Sequence, residues 1–355
     1  MSILDRYIVR AILGAVLLVM MVLLVLGALF MFIDQQDDVG TGHYTALAAF
    51  GYTLLNLPQL AYELLPITAL IGSLLGLGSL ARGSELTVVR ATGVSVARLA
   101  GIALLAGLLL MLLAILLGEF LAPPLQQAAR EHKAFSKLNG VSFGGGGAWV
   151  RDGDMILNIA GQSSLRRFGS MQLFELSPQH RLLALGHAQR AVAGARGGTW
   201  SLSGYTESRF ADDTVTTSPP APRLLASHVS AGFLGLAVED PKQLTSRALR
   251  RLINYYHANG LDAREYLFAF WSRIARTVAV VFSVLLAIPF VLGSLRSAGA
   301  GARMLLGMIL GIGFFLLQRL IESGTVVFNL DPVLLAWLPT ALLALVTFTL
   351  LARAR

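Results

Sequence analysis

The side chains that could carry chemistry are unevenly supplied in this chain. No cysteine occurs among the 355 residues, which removes thiolate nucleophiles, disulfides and sulfur metal ligands together. Serines lie close to glycines in IGSLLGLGSLARGSE (71–85), a setting an intramembrane hydrolase could use, but a serine nucleophile needs a base. All six histidines, His43, His132, His180, His187, His228 and His257, fall outside the long apolar runs, and no such run carries paired carboxylates. The histidines are too scattered for a ligand set, so neither a catalytic residue nor a metal is expected. The tetraglycine at 144–147 precedes a strand-like run and reads as a flexible entry to a sheet. A nucleotide loop of the Walker type needs Gly-Lys-Ser/Thr, whereas the three lysines, Lys133, Lys137 and Lys242, follow His132, Ser136 and Pro241. The chain cannot supply that ATP site itself.

Two other kinds of residue remain. In RGSELTVVRATGV (82–94), Ser84 is placed to cap a short helix, Glu85 sits where the positive helix end favours a carboxylate, and Gly93 can end it. Leu86 and Val89, with the methyls of Ala91 and Thr92, make a small apolar surface bordered by Arg82, Glu85 and Arg90. A helix of about two turns is marginal in water, so it must pack on membrane, on its own chain or on a partner. The second kind is charge at the edges of apolar runs, where ions should face protein, water or headgroups. Arg319 and Glu322 are three apart and suit either a structural pair or a headgroup contact. Arg273 and Arg276 form a basic stripe, and Arg130, Lys133 and Lys137 follow another run at helical spacing. These would suit a phosphorylated or acidic lipid, with snorkelling and solvation as the equal alternative.

The elements that must position these groups follow from hydropathy. With 55% hydrophobic residues, 14% charged and a mean hydropathy of +0.68, the chain is an integral membrane protein. A span needs about 20 apolar residues to cross roughly 30 Å of hydrocarbon. Six stretches qualify: about 11–33, 57–80, 99–122, 267–292, 303–321 and 333–352. The first is too long for a signal peptide and lacks a small-residue cleavage site, so it is read as retained. Arg6, Arg10, Arg82, Arg90, Arg98, Arg296, Arg303, Arg353 and Arg355 share the side of the termini, while the loops 34–56 and 322–332 contain no Lys or Arg. By the positive-inside rule, the termini and the 82–98 stretch are cytoplasmic. Most of the +8 net charge is thereby topogenic, and nucleic acid is not needed to explain it.

Residues 1–122 are thus read as spans 1–3 with a cytoplasmic helix at about 84–93, and residues 267–355 as spans 4–6. Between them, 123–266 is read as an outer β-rich domain. Its apolar and polar residues alternate in AWVRDGDMILNIAG, SMQLFELSP, RLLALGHAQRAVA, GTWSLSGYTESRF and ASHVSAGF, which predicts an antiparallel sandwich or jelly-roll-like sheet. KQLTSRALRRLINYYHAN (242–259) changes to a helical period and ends at Gly260.

With LDRYI near the start, FIDQ at 32–35, SELTVVRATGVS at 84–95, GEFLAPP at 118–124 and LRS at 295–297, this layout resembles the LptF/LptG family of lipopolysaccharide export permeases. The likeness covers the whole chain, and LDRYI, FIDQ and WSRI (271–274) lie closer to the LptG branch than to its LptF paralogue. The resemblance implies an inner-membrane subunit of an ABC transporter, paired with an LptF-like paralogous permease above an LptB-like ATPase dimer that binds ATP and Mg. Lipopolysaccharide would be drawn from the outer leaflet and passed through the β-domain to an LptC-like partner and the periplasmic bridge. It also implies that the helix holding Ser84, Glu85, Leu86, Val89 and Arg90 is the coupling helix, with Glu85 at the family's glutamate position.

Asp34 matches the acidic position of the family's first span, and Arg130 and Lys133 match basic positions associated with lipopolysaccharide. Departures are visible: Met31 stands where a lysine is often found, and Gln36, Asp37 and Asp38 replace basic residues. That shifts the phosphate contact towards Arg130, Lys133 or Arg319. Thr277 replaces a proline often seen after WSRI, so no kink is assumed there. A non-transporting scaffold whose outer domain binds an envelope protein is the alternative of a different class.

Overall fold

The computed structural model describes residues 3–40, 44–137, 148–152, 154–159, 162–164, 167–177, 181–193, 199–211, 214–226, 241, 244–292, 300–324 and 330–353. The tetraglycine at 144–147, the LRS motif at 295–297 and most of ASHVSAGF (226–233) lie outside the described residues. Two compact units are present. One comprises Met1–Ser136, Thr245–Arg250 and Asp262–Arg355; the other comprises Lys137–Leu244 and Arg251–Leu261.

The apolar runs form the helices of the first unit. Helix α1 is Ile3–Asp34, followed by a 3-10 turn at Gln36–Asp38. Helix α2 is Ala46–Arg82, opened by Thr45, whose hydroxyl accepts from the Ala48 amide, and α3 is the seven-residue helix Glu85–Ala91. Helix α4 (Val96–Ile115) runs through a π-helical segment, Leu116–Leu121, into α5 (Ala122–Lys137). Helix α6 is Ser246–Ala258, α7 is Arg264–Leu292, α8 is Ala300–Gly324 and α9 is Pro332–Arg353. Among the described residues, five helical stretches are long and apolar enough to cross a membrane, and α8 carries a shorter apolar stretch, Leu305–Ile321. That shorter stretch is the expected span at 303–321.

Continuous helix carries the third span well past residue 122, where composition had ended it. Pro123 and Pro124 lack the amide protons that would bond the carbonyls four residues earlier. The wider π turn just before them absorbs this defect, with the Ala122 amide bonding the Leu117 carbonyl. Polar residues then continue the same rod as α5.

Centre and rim are separated by burial: 72% and 67% of the apolar windows of α2 and α7 are buried, against 17% and 28% for α1 and α9. Glycines set the closest approaches, as expected where lipid gives helices no hydrophobic reason to associate. A Cβ on Gly72 would lie 2.4 Å from Val16 Cα, and one on Gly76 would lie 2.7 Å from the Ala11 carbonyl oxygen, so α1 and α2 touch backbone to backbone. Gly307 and Gly311 of α8 perform the same function against Ile71 and Ile67 on α2.

The strands of the second unit, which also holds Arg251–Leu261 from α6 onward, pair antiparallel throughout. Its strands are β1 (Ala148–Asp152), β2 (Met155–Ile159), β3 (Gln162–Ser164), β4 (Arg167–Phe168), β5 (Met171–Leu176), β6 (Leu182–Ala188), β7 (Arg190–Ala193), β8 (Thr199–Ala211), β9 (Thr214–Thr217) and β10 (Ala221–Ala226). The order is β1-β2-β5-β6-β8-β7-β4-β3, with β9 and β10 also on β8. The 13-residue β8 belongs to two sheets. Thr206–Arg209 pair with β6, while Trp200–Ser203 pair with β7. Between these halves stands Gly204 at φ +65, a left-handed backbone that glycine adopts without strain. From the alternating segments, Leu157, Met171, Leu173, Ala188, Trp200 and Leu202 form the core. This is the expected jelly-roll-like arrangement, a helical bundle with an inserted all-β unit. Helix α6 closes with Gly260 at φ +64 and a Leu261 amide bond to the Tyr256 carbonyl, the predicted glycine stop.

Candidate functional site

Three groups of polar residues stand out against the apolar bundle. The first is α3, at the end of the bundle that holds the N-terminus of α1. Leu86 is 4% exposed and belongs to the bundle core, and Val89 is half-buried against the same core. Both residues therefore seat the helix on its own chain. The apolar side chain left outward is Val88, 61% exposed, with Glu85 and Arg90 also exposed. Glu85 accepts a hydrogen bond from the Tyr7 hydroxyl of α1 at 2.8 Å.

Ser84 corrects one expectation. It stands at the N-cap position but makes no side-chain cap bond, because its φ of 61 is left-handed rather than extended. Its amide bonds the Ala81 carbonyl and the Gly83 amide bonds that of Ser79, so Ser84 is used to end α2. The extended geometry a capping serine needs is thereby lost. At the other end of α3, Gly93 at φ +89 makes the predicted stop.

A second group surrounds the π segment at the opposite end of α4. A π bulge displaces carbonyls and side chains from the regular ladder, and here it presents both Gly118 O and the Glu119 carboxylate to α7. Arg273 Nη1 donates to them at 2.9 and 3.0 Å. The same carboxylate accepts from the Ser246 amide, at 3.0 and 3.2 Å to its two oxygens, and from the Ser246 hydroxyl at 2.9 Å. Glu119 thus acts as a borrowed cap for the first turn of α6, where amides lack helical partners and negative charge is favoured. Tyr62 closes the group: its hydroxyl donates to the Arg273 carbonyl at 3.3 Å, and a Cβ on Gly118 would meet its ring at 2.8 Å.

Arg273, expected to form a basic stripe with Arg276, is only 9% exposed and points into the bundle. Arg276 lies 5.7 Å from the Tyr62 ring centroid. With the Gln318 amide turned so that its oxygen faces the guanidinium, Arg276 Nε and Nη2 donate to it at 2.9 and 3.0 Å.

Lys133 of α5 anchors the third group. Its Nζ lies 2.7 Å from Asp38 Oδ2 and 2.5 Å from Gln35 Oε1, and 4.9 and 5.8 Å from the ring centroids of Tyr52 and Tyr44. Arg130, one turn earlier, is half-buried and has no hydrogen bond or ion pair among the described residues. Asp34 is exposed beside this group, and Arg319 is exposed on α8. The side chain of Glu322 lies outside the described residues, so its expected pairing with Arg319 does too.

Of the residues chosen from sequence, Lys133 is joined to the end of α1, and Arg273 is joined to Glu119. Tyr7, Val88, Glu119, Ser246, Gln35 and Asp38 were not selected. Only Glu119 carried a visible signal, a carboxylate inside an apolar run. The others gain their roles from contacts across the chain.

These features define a multi-pass membrane protein in which a helical bundle is interrupted by an antiparallel β unit. The profile of the family "Lipopolysaccharide export system permease LptF/LptG" matches residues 6–353. The chain belongs to this family of inner-membrane permeases. It is 31% identical over 354 residues to the "Lipopolysaccharide export system permease protein LptG" of Escherichia coli (strain K12), covering 99% of this chain and 98% of the relative. It is 29% identical over 354 residues to the protein of the same name from Haemophilus influenzae, covering 99% of both.

Proposed function

We propose that this chain is the transmembrane permease subunit of an ABC transporter that extracts lipopolysaccharide from the outer leaflet of the inner membrane. The full-length match to lipopolysaccharide export permeases carries this reading. ATP and Mg are bound by a separate LptB-like ATPase dimer, since this chain lacks the Gly-Lys-Ser/Thr of a nucleotide loop. An LptF-like paralogue completes the lipid cavity. The β unit hands lipid to an LptC-like partner.

Helix α3 is the coupling element. Leu86 and Val89 fix it to the bundle, leaving Glu85, Val88 and Arg90 to meet the ATPase. The arginine distribution supports a cytoplasmic side for the termini and α3 and a periplasmic side for the β unit. On the periplasmic side Arg130 and Lys133 are the principal cations for the lipid headgroup, with Asp34, Arg276 and Arg319 as further candidate contacts. Arg273, held by Glu119, serves the architecture of the bundle.

The test is co-purification from mild detergent followed by ATP-driven lipopolysaccharide release. A complex with an ATPase and a second six-span subunit is expected. Recovery as a lone anchor for an envelope protein would instead establish the scaffold reading.

A further inference from the structure

Lys133 is enclosed more completely than a waiting ligand cation needs to be. Its ammonium has a carboxylate, an amide oxygen and two tyrosine rings around it, contributed by Gln35, Asp38 and Tyr44 between α1 and α2 and by Tyr52 of α2. The side chain is nonetheless 23% exposed and that of Asp38 is 30% exposed, so the pair can be reached by solute. The turn itself, Gln36-Asp37-Asp38, brings negative charge and no cation.

We propose that Asp38 is a built-in counter-ion that competes with the anionic headgroup of the transported lipid for Lys133, and so sets this corner's selectivity for phosphate. The proposal rests on the permease reading given above. A partly exposed ion pair contributes only about 1 kcal/mol or less. A phosphate monoester brings about −1.5 to −2 charges and three acceptor oxygens, enough to displace one carboxylate. The tyrosine rings and Gln35 remain to hold the ammonium while its anion is exchanged. Arg130, three residues earlier on α5, adds a second cation on the same side of that helix. Phosphate binding therefore replaces Asp38 on Lys133 and recruits Arg130, whereas a lipid of lower headgroup charge leaves the Asp38 pair closed.

The experiment uses the complete transporter in nanodiscs, with bisphosphorylated and monophosphorylated lipid A as probes and phosphatidylethanolamine as control. Asp38→Asn should tighten binding of the bisphosphorylated probe by about three- to tenfold, with a smaller gain for the monophosphorylated one. Asp38→Glu, which keeps the charge, should retain wild-type discrimination. Lys133→Gln should weaken binding, and adding Asp38→Asn to it should restore nothing, because the carboxylate then has nothing to compete for. Weaker binding in Asp38→Asn, or unchanged binding of both probes, would overturn the proposal while leaving the permease reading intact. Wild-type protein that binds neither probe above the control would overturn both.

Discussion

Glu85, on α3 just before α4 begins, and Glu119, in the π segment that ends it, are separated by roughly 35 Å of helical rise along α4, and the chain treats them differently. Glu119 accepts from a serine amide, a serine hydroxyl and a guanidinium, drawn from α6 and α7. Glu85 accepts one tyrosine hydroxyl and is otherwise open. A carboxylate with several donors from different elements is a fixed joint, since moving any one element leaves an ion without its partners. A carboxylate with one exposed donor is a contact that can be given up and remade. The difference assigns rigidity to the π-bulge end and exchange to the α3 end of the permease.

The severest way to break this comparison is Glu119→Ala. It leaves Arg273 buried with its counter-ion gone, and the loss is expected to reach about 3 kcal/mol or more. Thermal unfolding in detergent and resistance to proteolysis of α6 would measure it, with a large drop in both expected. Glu119→Gln keeps an acceptor for the Ser246 amide and should fall between the two. Wild-type stability in Glu119→Ala would remove the joint.

Glu85→Lys should do the opposite. Insertion and thermal stability are expected to stay near wild type, while ATP-driven lipopolysaccharide release falls by about tenfold or more through loss of coupling. Full release from the Glu85→Lys transporter would end the coupling assignment. Val88→Asp, altering the exposed apolar contact without touching the core, should weaken co-purification of the ATPase in parallel.

A third carboxylate, Glu207 in the β unit, sharpens the same rule by pH. Burial pushes its pKa up, but hydrogen bonds from Arg209 and Tyr205 and the charges of Arg223 and Arg209 outweigh this and hold it below the usual value. A lowered folded-state pKa contributes stability that is present above the unfolded value and lost as pH falls through the folded one. Tyr205 behaves conversely: burial first, then its bond to Glu207, pushes it up to about 12. Its contribution is complete below the ordinary tyrosine value and disappears as pH rises towards 12. The unfolding temperature of the β unit should therefore fall in acid, below the ordinary carboxylate range, and again in strong base. Glu207→Gln should flatten the acid limb.

Much of this architecture was legible in the residues, because spans and strands are written as local periodicity. The six apolar runs became helices, and AWVRD, MILNI and MQLFEL became β1, β2 and β5. What escaped was whatever depends on distant partners. Ser246 and Arg273 lie 127 and 154 residues from Glu119, and Lys133 lies 98 from Gln35. Local spacing grouped Arg273 with Arg276 in a basic stripe; its bonds to Gly118 and Glu119 depend on packing against a helix distant in the chain. Local spacing also grouped Leu86 and Val89 on one apolar surface of α3 and left membrane, own chain or partner open as its cover; the bundle core is what covers it. Ser84 ends α2 but, for a similar reason, does not cap α3. Its capping chemistry was correct for a serine before a helix, but the two-residue connection from α2 required a left-handed residue there.

The smallest expected effect tests whether the single donor to Glu85 matters. Tyr7→Phe removes only the hydroxyl that reaches Glu85 from α1 and leaves the ring where it is. An exposed hydrogen bond of this kind contributes about 0.5–1.5 kcal/mol at most, so the fold should be unaffected. If Tyr7 merely decorates the end of α1, release and ATP hydrolysis will both stay at wild-type levels. If it holds the carboxylate in place for the ATPase, hydrolysis will persist while lipid released per ATP falls about twofold to threefold. Glu85→Gln, which retains an acceptor for the hydroxyl, should then be milder than Glu85→Ala. Equal defects in the two would mean that the charge itself, and not the position Tyr7 gives it, is what the partner reads.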